Sequence, residues 1–248
     1  MNRRHDKLGI KQTIQKHWMD YVVKMMLAGL KEKEIRAELD EFLAQEKPYS
    51  GQVPKTHSFA KTILASWFAP DKDLIPFRDH ALSLVRHENP RNWLPYHWAV
   101  ISASYPFWFN VAKQTGRLFN LQDQIKQSQV FSRLKEQYGD RETVTRNARY
   151  AIRSFVAWGV LEDSKGKGCY EQSKPMGISD PNLTILLYEA ALYTDKEGKS
   201  VLGLLKNNPA FFPFQLLVLT GNYISQQSNN IDVVRYGLDD ELLKLRDK

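Results

Sequence analysis

Only one cysteine, Cys169, occurs in 248 residues, so an internal disulfide and a thiolate zinc cluster are both excluded. That scarcity suits a reducing, cytoplasmic setting. The thirteen glycines are scattered rather than gathered, and no phosphate loop, dinucleotide fingerprint or nucleophile elbow is present. The expectation is therefore a protein that is not an enzyme and carries no cofactor. Histidine is sparse too: His5, His17, His57, His80, His87 and His97. His80 and His87, flanked by Asp79 and Glu88, come nearest to a ligand cluster, yet they stand at i and i+7, where sharing one ion needs i and i+4. Both are expected on the surface, without a metal. The start, Met1-Asn2-Arg3-Arg4-His5-Asp6-Lys7, is polar and leads into no apolar run, so no signal peptide is expected.

A long uninterrupted apolar stretch is also missing. The stretch from Trp93 to Ala112 nears the length of a membrane span, but Pro95, His97, Ser102, Ser104, Pro106 and Asn110 interrupt it. Pro106 should divide it into two shorter helices, since proline lacks the amide and clashes with the preceding turn. The expectation is a buried helical pair at the centre of the fold, with no membrane partner.

What the sequence does have is apolar bulk and positive charge. Hydrophobic residues make up 42% and aromatics 12%, enough to build packed cores. The formal charge of +7 favours polyanionic partners. Most of it is local: residues 111–175 hold twelve Lys and Arg against seven Asp and Glu.

Within that region, Val144, Ala148, Ala151, Phe155 and Trp158 fall on one side of a helix, with Ile152 at the margin, while Arg146, Arg149 and Arg153 fall on the other. Gly139-Asp140 breaks the preceding segment, Asp140 or Thr143 is expected to cap the helix, and Gly159 ends it. Upstream, Val130, Phe131, Leu134 and Tyr138 mark another short amphipathic helix. Downstream, 160–163 and 169–172 are two short extended runs around Ser164-Lys165-Gly166-Lys167-Gly168, which reads as a β-hairpin.

Helix, turn, basic helix and hairpin make a winged helix-turn-helix, in which the second helix enters the major groove and the wing tip follows phosphates. On that reading Arg146, Arg149, Tyr150 and Arg153 face the groove, and Thr143, Thr145 and Asn147 stand near the helix start. Lys165, Lys167 and Lys174 contact phosphates. Three arginines on a helix are more commonly only a solvated face; the wing lysines are what favour nucleic acid.

The fold class expected is mostly α: a helical bundle with an embedded winged helix-turn-helix and a small β-hairpin wing. Four regions follow: an N-terminal helical pair (1–46), an aromatic-rich helical core (55–125), the winged helix-turn-helix (126–178) and a C-terminal helical region with a small hairpin (179–248).

In the first, Trp18, Tyr21, Val22, Met25, Met26 and Leu30 precede a stop at Gly29, and Ile35, Leu39, Phe42 and Leu43 mark the second helix. Its outer face, with Glu34, Glu38, Asp40 and Glu41, is acidic and unsuited to phosphate. Residues 47–54 are a loop, 58–68 and 75–87 are helices, and 118–125 is a linker. Asp180 caps a helix opened by Pro181. Residues 199–205 form a short helix, 211–219 a buried helix or strand, and 231–238 an extended run; Asp239-Asp240-Glu241 is expected on a helix.

From Asp140 to Glu162 the chain resembles the BrxA proteins of bacterial BREX phage-defence systems, with a Thr-containing helix start, arginines, an aliphatic and aromatic stripe and a closing Gly-Val-Leu. Ser58 to Leu64 and the aromatic helices from Trp93 to Phe119 are similar to that family's helical middle. The likeness covers about half the chain and departs from it in the N-terminal helices and after Ile178. It implies a mostly helical, non-enzymatic protein that binds double-stranded DNA beside other defence-system proteins.

The leading expectation is a DNA-binding accessory protein. The rivals are a structural adaptor that assembles a multi-protein complex and a transcriptional autoregulator; the latter calls for a dimer, yet no dimerisation heptad is visible.

Overall fold

The computed structural model describes residues 3–237 and 240–246 and is mostly helical with small sheets. The chain opens with α1 (Lys16–Leu27) and α2 (Glu32–Glu46), and α3 (Lys55–Phe68), α4 (Ile75–Val85), α5 (Leu94–Ser104) and α6 (Pro106–Phe119) follow. Gly29, at φ +85°, ends α1 as expected, with the amides of Gly29 and Leu30 bonding back to Met26 and Met25. α2 buries Ile35, Leu39 and Leu43 and leaves its acidic face outside, where Asp40 pairs with Lys61 of α3.

Pro106 does divide the aromatic stretch, and both halves are buried. All of α5 from Leu94 to Ala103 is shielded, packed along the equally apolar α9 (Pro181–Thr194). No helix of the described residues is long and apolar enough to cross a membrane. The tryptophans concentrate where helices cross. Trp98 lies 5.0 Å from Phe155 and 5.7 Å from Trp108, and Trp108 lies 4.7 Å from Phe155 and 5.1 Å from Trp158, ring centre to ring centre. Each such pair adds about 0.5–1.5 kcal/mol beyond area burial. This cluster joins α5 and α6 to the helix that carries the arginines. Below it, α6 meets the turn Pro209–Phe211 so closely that a Cβ on Gly116 would lie 1.9 Å from the Pro209 carbonyl oxygen.

Next come β1 (Gln124–Lys126), α7 (Gln127–Tyr138), α8 (Glu142–Ala157), β2 (Leu161–Asp163), β3 (Cys169–Gln172) and β4 (Met176–Gly177). The remainder is β5 (Lys199–Val201), α10 (Leu202–Lys206), β6 (Phe214–Gln215), α11 (Gly221–Gln227), β7 (Ile231–Tyr236) and β8 (Asp240–Leu245). Among the described residues three sheets form, in the strand orders β1-β3-β2, β4-β6 and β5-β8-β7. One continuous core runs from Ile10 to Leu243.

Several expectations fail, each through long-range pairing. Residues 118–125 are not a linker: they finish α6 and enter β1, which pairs with β3 across 45 residues of sequence. Residues 199–201 are a strand rather than helix, because Lys199–Val201 pairs with Leu242–Lys244. The 211–219 stretch is neither one helix nor one strand, and Val218 is 84% exposed. Asp240 and Glu241 begin β8 rather than lying on a helix, and the Glu241 carboxylate accepts the Gly221 amide at 2.9 Å. Asp239 and Leu238 lie outside the described residues.

Candidate nucleic-acid interface

The candidate site is built on α8. Its inner stripe of Val144, Ala148, Ala151, Ile152 and Phe155 is buried, which fixes the direction in which the arginines project. The helix ends at Gly159, φ +71°, whose amide bonds to the Val156 carbonyl while that of Val160 bonds to Phe155. A left-handed residue is needed there, and glycine alone adopts it without a Cβ clash. The expected N-terminal cap is not made. Arg141 occupies the N-cap without a side-chain bond, Asp140 is drawn away to Lys135 at 2.7 Å, and Thr143 already lies inside the first turn.

Two contacts that sequence reasoning missed hold α8 from behind. Ser154 Oγ accepts the Ile14 amide at 2.9 Å, and Trp158 Nε1 donates to the Ile14 carbonyl oxygen at 2.9 Å. Both polar groups of one N-terminal residue are thus satisfied by side chains of α8 and of Trp158 just after it, 140 or more positions away. No local periodicity signals such a bond.

The sheet beside α8 positions the hairpin. β1 pairs antiparallel with β3, and β2 with β3, so β3 is the centre and β2 the outer strand. The turn between β2 and β3 places Gly166 at φ +114° and Gly168 at φ +74°, and carries Lys165 and Lys167 fully outward. The strands themselves are acidic: Glu162 lies opposite Glu171 on the exposed face. Hydrogen bonds from Ser164 and Gln124 hold the Glu171 carboxyl below its usual range. Apart from the exposed Lys126 of β1, positive charge on this sheet lies at the tip.

The expected contact residues fall into three groups. Arg149, Arg153 and Lys167 line one concavity between α8 and the turn, about 570 Å³ in volume. Here Arg153 bonds Asp163 Oδ1 at 2.5 Å, tying α8 to β2; that bond raises its pKa further. Arg149 has its guanidinium 5.8 Å from the Phe131 ring centre and makes no ion pair among the described residues. Lys165 projects beside this group from the turn.

Thr143, Arg146, Asn147 and Tyr150 form the second group, on the side of α8 that faces α3. Arg146 is only loosely paired with Glu142, at 3.8 Å between exposed side chains. Asn147 is 4% exposed and donates to the Thr143 carbonyl oxygen at 2.8 Å, so it lies in the wall of a cleft rather than on the outer ridge. Lys174 stands apart from both groups, sharing a depression with Lys16 and Arg91. Thr145 is half-buried and lines none of the three.

The histidine that matters structurally is His97, wholly buried. Its Nδ1 accepts from Trp67 Nε1 at 3.1 Å, which leaves Nε2 to donate to Asp20 Oδ1 at 2.8 Å. Lys16 Nζ closes the far side of the same carboxylate at 2.9 Å. Burial lowers the His97 pKa, with Asp20 opposing. Burial alone would raise that of Asp20, but the bonds from His97 and Lys16 outweigh it and leave it lowered. Neither His80 nor His87 joins a cluster able to hold a metal ion among the described residues. No protein-family model, curated protein or solved structure matches this chain.

Proposed function

We propose that the chain is a non-enzymatic protein that binds duplex DNA through a winged helix-turn-helix, with α8 as the recognition helix and the β2–β3 turn as the wing. One observation carries the reading. The order α6-β1-α7-α8-β2-β3, closed by a sheet of order β1-β3-β2, puts Arg149 and Arg153 of α8 and Lys167 of the turn around one concavity. Helix α6 serves as the first helix of the module and β1 as its third strand, so the module reaches upstream of residue 126. In this geometry a duplex lying along the ridge of α8 meets Arg146 and Arg149, while Lys165 and Lys167 reach the flanking phosphates. Arg153 acts mainly by bracing the wing against the helix.

The likeness of residues 140–162 to BrxA proteins supports double-stranded DNA over RNA and a setting among bacterial phage-defence proteins. A salt titration of binding to matched DNA and RNA duplexes tests the reading: the expected result is retention of DNA that weakens linearly in log salt, with a weaker affinity and a slope about half as steep in Lys165→Ala/Lys167→Ala. An adaptor role is favoured by a separate observation, the exposure of the apolar side chains Leu121, Leu204 and Val218. Stable co-purification of neighbouring proteins without any salt-sensitive DNA binding selects that reading instead.

A further inference from the structure

The second group of expected contact residues opens onto a feature that DNA reading does not use. Between the N-terminal segment, α3 and the first half of α8 lies a cleft of about 1020 Å³. That is the upper end of the roughly 300–1,000 Å³ typical of small-molecule sites. Its walls bring cations from two distant parts of the chain, Lys7 and Lys11 from the N-terminal segment and Arg146 from α8, beside Arg4, whose charge Asp73 meets at 2.6 Å; Asp71 is the one lining carboxylate among the described residues. Lys7 makes no ion pair among the described residues; Lys11 rests 5.5 Å from the Phe59 ring centre. Aromatic surface is interleaved with the charge, from Phe59, Tyr105 and Tyr150.

The wall is fixed rather than incidental. Gly9, at φ +71°, packs so tightly on Tyr105 that a Cβ there would come within 2.5 Å of the ring. The Tyr105 hydroxyl in turn donates to the Thr62 carbonyl oxygen of α3 at 2.8 Å. The N-terminal segment is thereby held across the opening between α3 and α8.

Three of the side chains that line this cleft also carry polar atoms shielded from solvent and without a hydrogen-bond partner among the described residues: Ser66 Oγ, Asn147 Oδ1 and Arg4 Nε. The three residues are 3%, 4% and 6% exposed. An unmet buried polar group costs about 1–3 kcal/mol, so native structures keep few of them. The three atoms are closed to solvent while the cleft stands open, so they lie behind its lining and make the wall polar without reaching what fills it.

We propose that the cleft binds a free nucleotide, its phosphates held by Lys7, Lys11 and Arg146 and its base seated among the aromatic side chains. Cations alone would suit any anion; the aromatic faces of Phe59, Tyr105 and Tyr150 are what select a planar ring. Because Arg146 belongs to α8, an occupied cleft withdraws one cation from the DNA-facing ridge, and nucleotide and DNA then compete in part. Nucleotide binding itself does not depend on the DNA reading and is tested without DNA.

The experiment is fluorescence anisotropy of N-methylanthraniloyl-ADP titrated with the full chain at low salt, beside Lys7→Ala/Lys11→Ala and Arg149→Ala. Lys7 and Lys11 are exposed, so removing them leaves the core intact. The expected result is saturable binding, weakened roughly tenfold or more in the double variant and unchanged in Arg149→Ala. Displacement by unlabelled ADP should far exceed that by inorganic phosphate.

Absence of saturation up to about 1 mM overturns the proposal, as does equal binding by the double variant. Displacement by phosphate as effective as by ADP reduces the cleft to an anion site and overturns it as well. A single-stranded oligonucleotide that outcompetes ADP does the same, by making the cleft a nucleic-acid track. A failure of duplex binding in a separate titration leaves each of these outcomes unaffected.

Discussion

Arg149 and Arg153 lie one helical turn apart on α8, yet the structure gives them different work, and replacing each with alanine separates binding from stability. Arg149 loses only a cation–π contact at 5.8 Å with Phe131 and is otherwise solvated, so its removal should change stability by about 0.5 kcal/mol or less. Arg153 loses a 2.5 Å bond to Asp163 with its side chain 42% exposed; screening by water limits the cost to about 1 kcal/mol. Binding should respond in the opposite proportion. If Arg146, Arg149, Lys165 and Lys167 each neutralise one phosphate, the slope of log affinity against log salt is about −3.6, at about 0.9 per contact. Arg149→Ala should bring it to about −2.7, or cost about 1–3 kcal/mol if the contact is to a base.

Urea melts followed by circular dichroism and mobility-shift titrations at several salt concentrations measure the two quantities on the same preparations. Arg153→Ala should lower the melting midpoint and weaken binding together, and Asp163→Ala should reproduce its loss of stability. A binding isotherm of Arg149→Ala that coincides with the parent at every salt concentration refutes the assignment of α8 as the recognition helix.

The supports behind α8 make further predictions. Ser154→Ala strands the Ile14 amide in the core and should cost about 1–3 kcal/mol in a urea melt, whereas the parent value would show that the bond contributes nothing. Gly116→Ala forces a methyl onto the Pro209 carbonyl and should destabilise by about 1–3 kcal/mol despite alanine's better helix propensity, read as a lower thermal midpoint. His97 and Asp20 both have lowered pKa values in the fold, so each contributes stability that is present above its unfolded value and lost as pH falls through its folded one. Stability should therefore decline on acidification from just below the ordinary histidine value of 6.5, and His97→Gln should flatten the upper part of that decline in thermal melts at stepped pH. A parent melt that is flat from neutrality down to the carboxylate range would contradict the buried neutral imidazole.

The helices were legible from residue order because their signals are local. The stripe from Val144 to Phe155, the stop at Gly159 and the division at Pro106 each follow from constraints within a few residues. The hairpin around Gly166 and Gly168 was legible for the same reason. Strand β1, by contrast, is three residues long, and the one alternation of Gln124, Ile125 and Lys126 is too short to signal a strand; its pairing with Cys169–Glu171 makes it one. The capping of α8 departs from the sequence expectation because Asp140 has a competing partner in Lys135, one turn away on another helix.

The candidate site divides along the same line. Sequence by itself determined that residues 111–175 carry most of the positive charge and that Arg146, Arg149 and Arg153 leave the buried face of one helix. Tertiary structure alone decided what each cation meets: Arg153 a carboxylate of β2, Arg149 an aromatic ring, Arg146 a cleft shared with Lys7 and Lys11, and Lys174 a separate depression. The reason is physical. A helix's period fixes which way a side chain leaves the backbone, whereas its partners belong to other elements, ten residues away for Asp163 and more than a hundred for Lys7 and Lys11, brought there by burial of the shared aromatic core.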